Sequence, residues 1–186
     1  MTYNTVADIF AANDEIRGRL VARAEGLDEA QQSFRAAEGA WSPAEIVEHL
    51  ALIERRLTGL FQVMLKKLES EGAGTPPPMR PFSLDEFAAQ ARQKFNAPDE
   101  ARPRGARITD SLAQMRESRA ALNALRPRVE AVDGASATYP HPAFGPLNLY
   151  QWLAFVGAHE ARHLRQLERV LDSMNGAREN KDADVA

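Results

Sequence analysis

The chain contains no cysteine. That excludes disulfide scaffolds, thiolate metal sites, iron–sulfur clusters and cysteine nucleophiles, so any metal must be held by nitrogen and oxygen. It also lacks an excess of charge of either sign: 23 Lys+Arg stand against 26 Asp+Glu, a net charge of −3. Such a balance gives no global electrostatic attraction to nucleic acid or to an anionic membrane, and neither is expected as a partner. No long hydrophobic run is present. From Gly134 through Ala158 there is no Asp, Glu, Lys or Arg, but Pro140, Pro142 and Pro146 break this stretch, so it cannot cross a bilayer as one helix. The start, Met1 to Asp8, has no basic segment ahead of an apolar run, and the chain reads as cytoplasmic. The period-two alternation of a half-buried strand is missing as well.

What remains is helical periodicity. The 186 residues, 44% hydrophobic and 26% charged, suit one domain with a sizeable core. Val6, Ile9, Phe10, Asn13, Ile16 and Leu20 form one helix face between about Tyr3 and Ala24. Ser42-Pro43-Ala44-Glu45 predicts a helix start with a capping box, proline at the first position and a Trp41/Ile46 staple. The stripe Ile46, Leu50, Ile53, Leu57, Leu60, Met64 and Leu68 follows, and Glu71 to Pro78 ends it. Ser83 to Glu86, stapled by Phe82 and Phe87, predicts a short helix to about Phe95. Thr109 is the expected cap of a third long helix with Leu112, Met115, Leu122 and Leu125 inward, ended or kinked at Pro127. Asp133 to Leu147 reads as a Pro/Gly-rich connection. Asn148, with Gln151 and a Leu147/Trp152 staple, caps the last helix. The fold class expected is an all-α four-helix bundle with one short extra helix and long connections. It covers residues 1–174 and leaves 175–186 as a polar, disordered tail.

Only four histidines occur, and three fall on inward stripes. His159 and His163 are one turn apart on one helix face, between Val156 and Leu167. His49 lies on the inner side of the second long helix. An unsatisfied buried polar group costs about 1–3 kcal/mol, so three imidazoles facing one interior call for a common explanation. A divalent metal supplies one: three neutral histidines leave coordination positions open for water or substrate. A hydrogen-bonded core histidine is the plainer alternative for each ring taken singly.

Gly39-Ala40-Trp41-Ser42-Pro43-Ala44-Glu45-Ile46-Val47-Glu48-His49 resembles the start of the second helix in the DinB/YfiT-like superfamily. His159-Glu160-Ala161-Arg162-His163-Leu164-Arg165-Gln166 resembles its His-x-x-x-His-x-x-Gln pattern, and His141 to Leu147 is similar to the loop before that helix in one subgroup. The resemblance implies a four-helix bundle, commonly a homodimer, with a divalent ion, zinc or nickel, on His49, His159 and His163. It also implies a small-molecule substrate and a metal-dependent transferase or hydrolase. Characterised members include transferases and isomerases that use low-molecular-weight thiols such as bacillithiol or mycothiol. The alternative is a non-catalytic bundle that binds a metal or a small molecule.

Other residues have two readings each. Glu45 can orient His49 or complete the capping box, the favoured use. Glu48 and Glu160 are expected to be solvated or inter-helix charges. His141 is a fourth ligand, a proton shuttle or, more simply, a packing residue. Gln166 can reach a metal-bound water or pack at the helix seam, and Trp41 and Trp152 are staples before they are pocket walls. Arg102, Arg104, Arg107, Arg116, Arg119, Arg126 and Arg128 read as a solvated, paired face, with an anion patch for a thiol cofactor as the sharper alternative.

Overall fold

The computed structural model describes residues 1–72, 76–85, 99–142 and 144–183. Its elements, in order, are β1 (Thr2–Tyr3), α1 (Val6–Glu25), α2 (Glu29–Ser33), α3 (Pro43–Glu71), β2 (Phe82–Ser83), a 3-10 turn (Asp99–Ala101), α4 (Ile108–Ala124), α5 (Arg126–Glu130), β3 (Thr138–His141), β4 (Gly145–Asn148) and α6 (Leu149–Ala183). The long helices α1, α3, α4 and α6 make the bundle. Helix α6 continues past Asn175, where the apolar stripe gives out, as far as Ala183. The short helix expected after Ser83 lies outside the described residues. Among the described residues no helix is long and apolar enough to cross a membrane.

The local start signals act as their chemistry requires. Ser42 Oγ accepts from Glu45 N–H, and Glu45 Oε2 accepts from Ser42 N–H at 2.8 Å, with Pro43 leading α3. Asn148 and Gln151 exchange the same pair of bonds ahead of α6. Thr109 is not a cap. Arg107 stands at the cap position of α4 without a side-chain cap bond, and its guanidinium pairs with Asp110 instead. Pro127 opens the short α5 rather than merely ending α4.

Two small antiparallel ribbons depart from an all-helical reading. β1 pairs with β2, and β3 with β4 through Tyr139↔Leu147 and Pro140↔Pro146. The second ribbon had no legible alternation because prolines hold two of its eight positions, Pro140 and Pro146, and Pro142 directly follows β3. It is pinned to α6 where Trp152 Nε1 donates to Tyr139 O at 3.1 Å, and Leu147 is buried under it.

The core has two parts. One gathers Ile9, Phe61, Leu65, Leu122, Leu149 and Leu153; the other gathers Leu20, Ile46, Leu50, Leu112, Met115 and Leu167. Where α1 crosses α6, Gly157 allows the approach: a Cβ there would overlap Asn13 Oδ1. Asn13 Nδ2 donates to Leu153 O at 2.9 Å, which holds the amide against α6.

Gly157→Ala is therefore expected to destabilise the fold, because overpacking of about 1–3 kcal/mol outweighs a helix-propensity gain of about 1 kcal/mol. At exposed Gly59, where a Cβ meets nothing within 4 Å, alanine should stabilise by up to about 1 kcal/mol. Urea unfolding measures both. A Gly157→Ala protein as stable as the parent would contradict the close approach.

Candidate metal centre

A buried quartet of charges crosses the middle of the bundle, with one member from each long helix: Arg17 of α1, Glu54 of α3, Arg119 of α4 and Glu160 of α6. Arg17 pairs with Glu160 and, at 2.6 Å, with Glu54. Arg119 meets Glu54 at 2.8 Å and Glu160 at 2.9 Å. Remaining donors and acceptors are met by Met115 O, Asn13 O and Ser118 Oγ. Burial works against the charge on Arg119, but Glu160 and Glu54 more than offset it and hold its pKa above the usual value. Glu160 is thus an inter-helix charge but not a solvated one; it is 2% exposed.

The quartet holds α3 and α6 at a fixed mutual height, and one turn away the histidines converge. His49, His159 and His163 each present a ring nitrogen, and these three atoms all lie within 4.8 Å of one another. Ring centroids are 4.5 Å apart for His159 and His163 and 4.8 Å for His49 and His163. His49 and His163 are buried, and His159 is partly open.

Two of the rings are fixed in one tautomer. His49 Nδ1 is 2.7 Å from Ala101 O. A carbonyl only accepts, so Nδ1 carries the proton and Nε2 keeps its lone pair. His163 Nδ1 is 2.9 Å from Gln166 Oε1, while its Nε2 faces Arg162 Nη2 at 2.6 Å. A guanidinium only donates, so this Nε2 also holds a lone pair. Gln166 therefore orients a histidine, a role beyond packing.

The carbonyl that holds His49 is itself anchored. Glu48, 5% exposed, accepts from the N–H groups of Arg104, Gly105 and Ala106 at 2.8, 2.9 and 3.0 Å. Gly105 adopts φ +88°, a left-handed conformation that suits glycine. Glu48 is thus neither solvated nor a helix-to-helix charge; it clamps the loop that carries Ala101. Glu45 serves the capping box and an ion pair with Arg35, and it does not hold His49. Neither Ala101 O nor the Arg162 contact was legible beforehand: a carbonyl carries no residue signal, and Arg162 sits between two histidines like any solvated helix charge.

His141 is outside the converging set. Its ring lies among Phe144, Trp152 and Phe155 at 4.6–4.8 Å, the packing role. Phe155 and Trp41 flank the triad as apolar walls, Phe155 at 5.6 Å from His159 and Trp41 at 4.9 Å from His49. In the arginine-rich stretch Arg102, Arg107, Arg116, Arg126 and Arg128 each pair with a carboxylate, Arg119 joins the quartet, and Arg104 meets Glu48 through its backbone. The solvated, paired reading holds for those five; Arg119 departs from it by being buried.

These residues fit a divalent ion. Ligation at about 2.0–2.1 Å from three nitrogens needs them about 3.0–3.4 Å apart, which the rings reach by shifts of under about 1 Å each. Burial keeps the histidine rings in the neutral form that ligation would require. It pushes the pKa of His163 down to about 3 and that of His141 down to about 4, and lowers His49 and His159 as well.

That burial has a cost in acid. The unfolded chain protonates its histidines near about pH 6.5, whereas the folded chain does so only well below. The stability these rings contribute is present above about pH 6.5 and is lost as pH falls toward the folded values. Glu160, raised by burial against the pull of Arg17 and Arg119, acts in the opposite sense near the carboxylate range. Chelator-treated protein should unfold in less urea at about pH 5.5 than at about pH 7.5, with a slope approaching 1.4 kcal/mol per pH unit from the buried His163 ring. His163→Gln should shrink the difference. Equal midpoints at the two pH values would contradict the neutral, buried triad.

Comparison with known proteins agrees with this architecture. The DinB superfamily profile matches residues 12–167. Uncharacterized protein YuaE of Bacillus subtilis (strain 168) is 27% identical over 158 residues, covering 82% of this chain and 90% of its own. The crystal structure of TT2238, a four-helix bundle protein, is similar with a TM-score of 0.58 and 26% identity, over 88% of this chain and 98% of that one. YfiT from Bacillus subtilis, described as "a probable metal-dependent hydrolase with an unusual four-helix bundle topology", is similar with a TM-score of 0.60 and 19% identity, over 91% of this chain and 87% of its own.

Proposed function

Because the chain belongs to the DinB superfamily, we propose that it is a divalent-metal-dependent enzyme whose ion is held by Nε2 of His49, Nε2 of His163 and a ring nitrogen of His159. One observation carries the reading. The protons of His49 and His163 are committed to Ala101 O and Gln166 Oε1, so two lone pairs turn to the point where His159 also arrives. A buried imidazole needs an acceptor for its N–H in any case; what points to an ion is that three ring nitrogens from two helices converge within 4.8 Å of one another.

Three neutral ligands leave an ion its full double charge and open positions, so it supplies a Lewis acid that lowers the pKa of a bound water or thiol. The residues of this chain do the remaining work. Gln166 and Ala101 hold the rings, Glu48 holds Ala101, and Trp41 and Phe155 keep water from two sides. The reaction proposed is hydrolysis or transfer with a low-molecular-weight thiol, zinc or nickel being the ion. The description of YfiT supports the hydrolytic form, and the resemblance of the His-x-x-x-His-x-x-Gln segment supports the thiol form.

After dialysis against zinc, metal analysis should find one ion per parent chain. Alanine at His49, His159 or His163 should weaken binding by more than about a hundredfold, and alanine at Gln166 by about ten- to a hundredfold, the range of a supporting residue. His141→Ala should keep the ion. Zinc should also raise the melting temperature of the parent by mass action. Full occupancy in folded His163→Ala would overturn the assignment.

A further inference from the structure

Among the described residues, the carboxylates near the triad are engaged elsewhere. Glu45 closes the capping box and pairs with Arg35, Glu48 clamps residues 104–106, and Glu54 and Glu160 belong to the quartet. Among the described residues no Asp or Glu joins the cluster of potential ligands. One cation does come in. Arg162 is exposed as a residue, yet its Nη2 lies 2.6 Å from His163 Nε2. Six arginines of the 102–128 stretch, and Arg17, have carboxylate partners; Arg162 has none among the described residues. Arg165, one turn further on, adds positive charge on the same helix and opposes that of Arg162.

We infer that Arg162 is the anion receptor of this centre and that the substrate is a small carboxylate with an apolar or aromatic body. The inference rests on the metal reading above. A divalent ion on three neutral histidines beside a guanidinium is a concentration of positive charge, and no Asp or Glu among the described residues joins the cluster to balance it. A carboxylate has two oxygens, enough to satisfy both the guanidinium and an open coordination position. Because Arg162 now faces the Nε2 that an ion requires, the guanidinium and the ion compete for that nitrogen. A carboxylate gives the guanidinium a better acceptor and frees the ring. The apolar body is received by Trp41, 6.4 Å from His163 in a stacked arrangement, and by Phe155 beside His159.

The test uses zinc-loaded protein, calorimetry, and two probes of one shape, benzoate and neutral benzamide. In Arg162→Gln, benzoate affinity should fall about ten- to a hundredfold, the worth of a charge-assisted hydrogen bond, while benzamide affinity stays unchanged. Zinc alone should bind Arg162→Gln at least as tightly as the parent, since its competitor for His163 is gone. Arg165→Gln, which removes an equal charge from the same helix, should change benzoate affinity by less than about threefold, the scale of one screened surface charge. Zinc bound normally with benzoate affinity kept in Arg162→Gln would overturn this inference alone. So would equal losses in both variants, or no benzoate binding by the zinc-loaded parent. Failure of every protein to bind zinc would overturn the metal reading and this inference with it.

Discussion

The quartet of Arg17, Glu54, Arg119 and Glu160 is the constraint on which the rest of the molecule depends. Apolar stripes let helices slide by a turn at modest cost, because one leucine serves nearly as well as the next. Four buried charges, one per helix, do not allow this. A slip of one turn strands a carboxylate or a guanidinium in the core, at a cost of about 3–5 kcal/mol per broken pair. The net charge of the set is zero when all four meet, so only one mutual height of α1, α3, α4 and α6 satisfies it. A buried ion pair adds little to stability by itself, and its effect here is on register.

Register is what the histidines need. His49 is five residues before Glu54 on α3, and His159 directly precedes Glu160 on α6. Fixing Glu54 and Glu160 against the same two arginines brings His49 level with His159 and His163. Leu50, Ile53, Leu57 and Val156 lie beside His159, Glu54 and Glu160 and leave no space for a water between them. The final aim of each ring is then set by smaller parts: Ala101 O on a loop held by Glu48, and Gln166 on the turn after His163. Among the described residues the same arrangement draws the nearby carboxylates away from the triad, which leaves three neutral rings with Arg162 at their rim.

How much of this was legible in the sequence depended on range. The starts of α3 and α6 were readable because Ser42–Glu45 and Asn148–Gln151 close their bonds within four residues. His49, His159 and His163 were readable as a set because helical spacing puts each on an inward stripe, although their convergence is tertiary. The β3–β4 ribbon was not, since Pro140 and Pro146 replace the alternating residues that mark a strand. Thr109 misled because the chain into α4 is dictated from α3, where Glu48 binds residues 104–106 and Arg107 takes the cap position. Glu160 is the inter-helix charge its sequence allowed, but its burial, like the loop clamp made by Glu48, was not legible for one reason: a charge becomes buriable only when a distant partner arrives, and neither Arg17 nor the Gly105 loop is near them in sequence.

The central claim is that three neutral imidazoles, placed by the quartet, share one ion. X-ray absorption at the zinc edge of loaded protein tests it most directly. The account predicts first-shell nitrogen or oxygen scatterers at about 2.0–2.1 Å with the outer-shell signature of three imidazoles, falling to two in His159→Ala. A first shell of oxygen alone, or three imidazoles undiminished in His159→Ala, would contradict it.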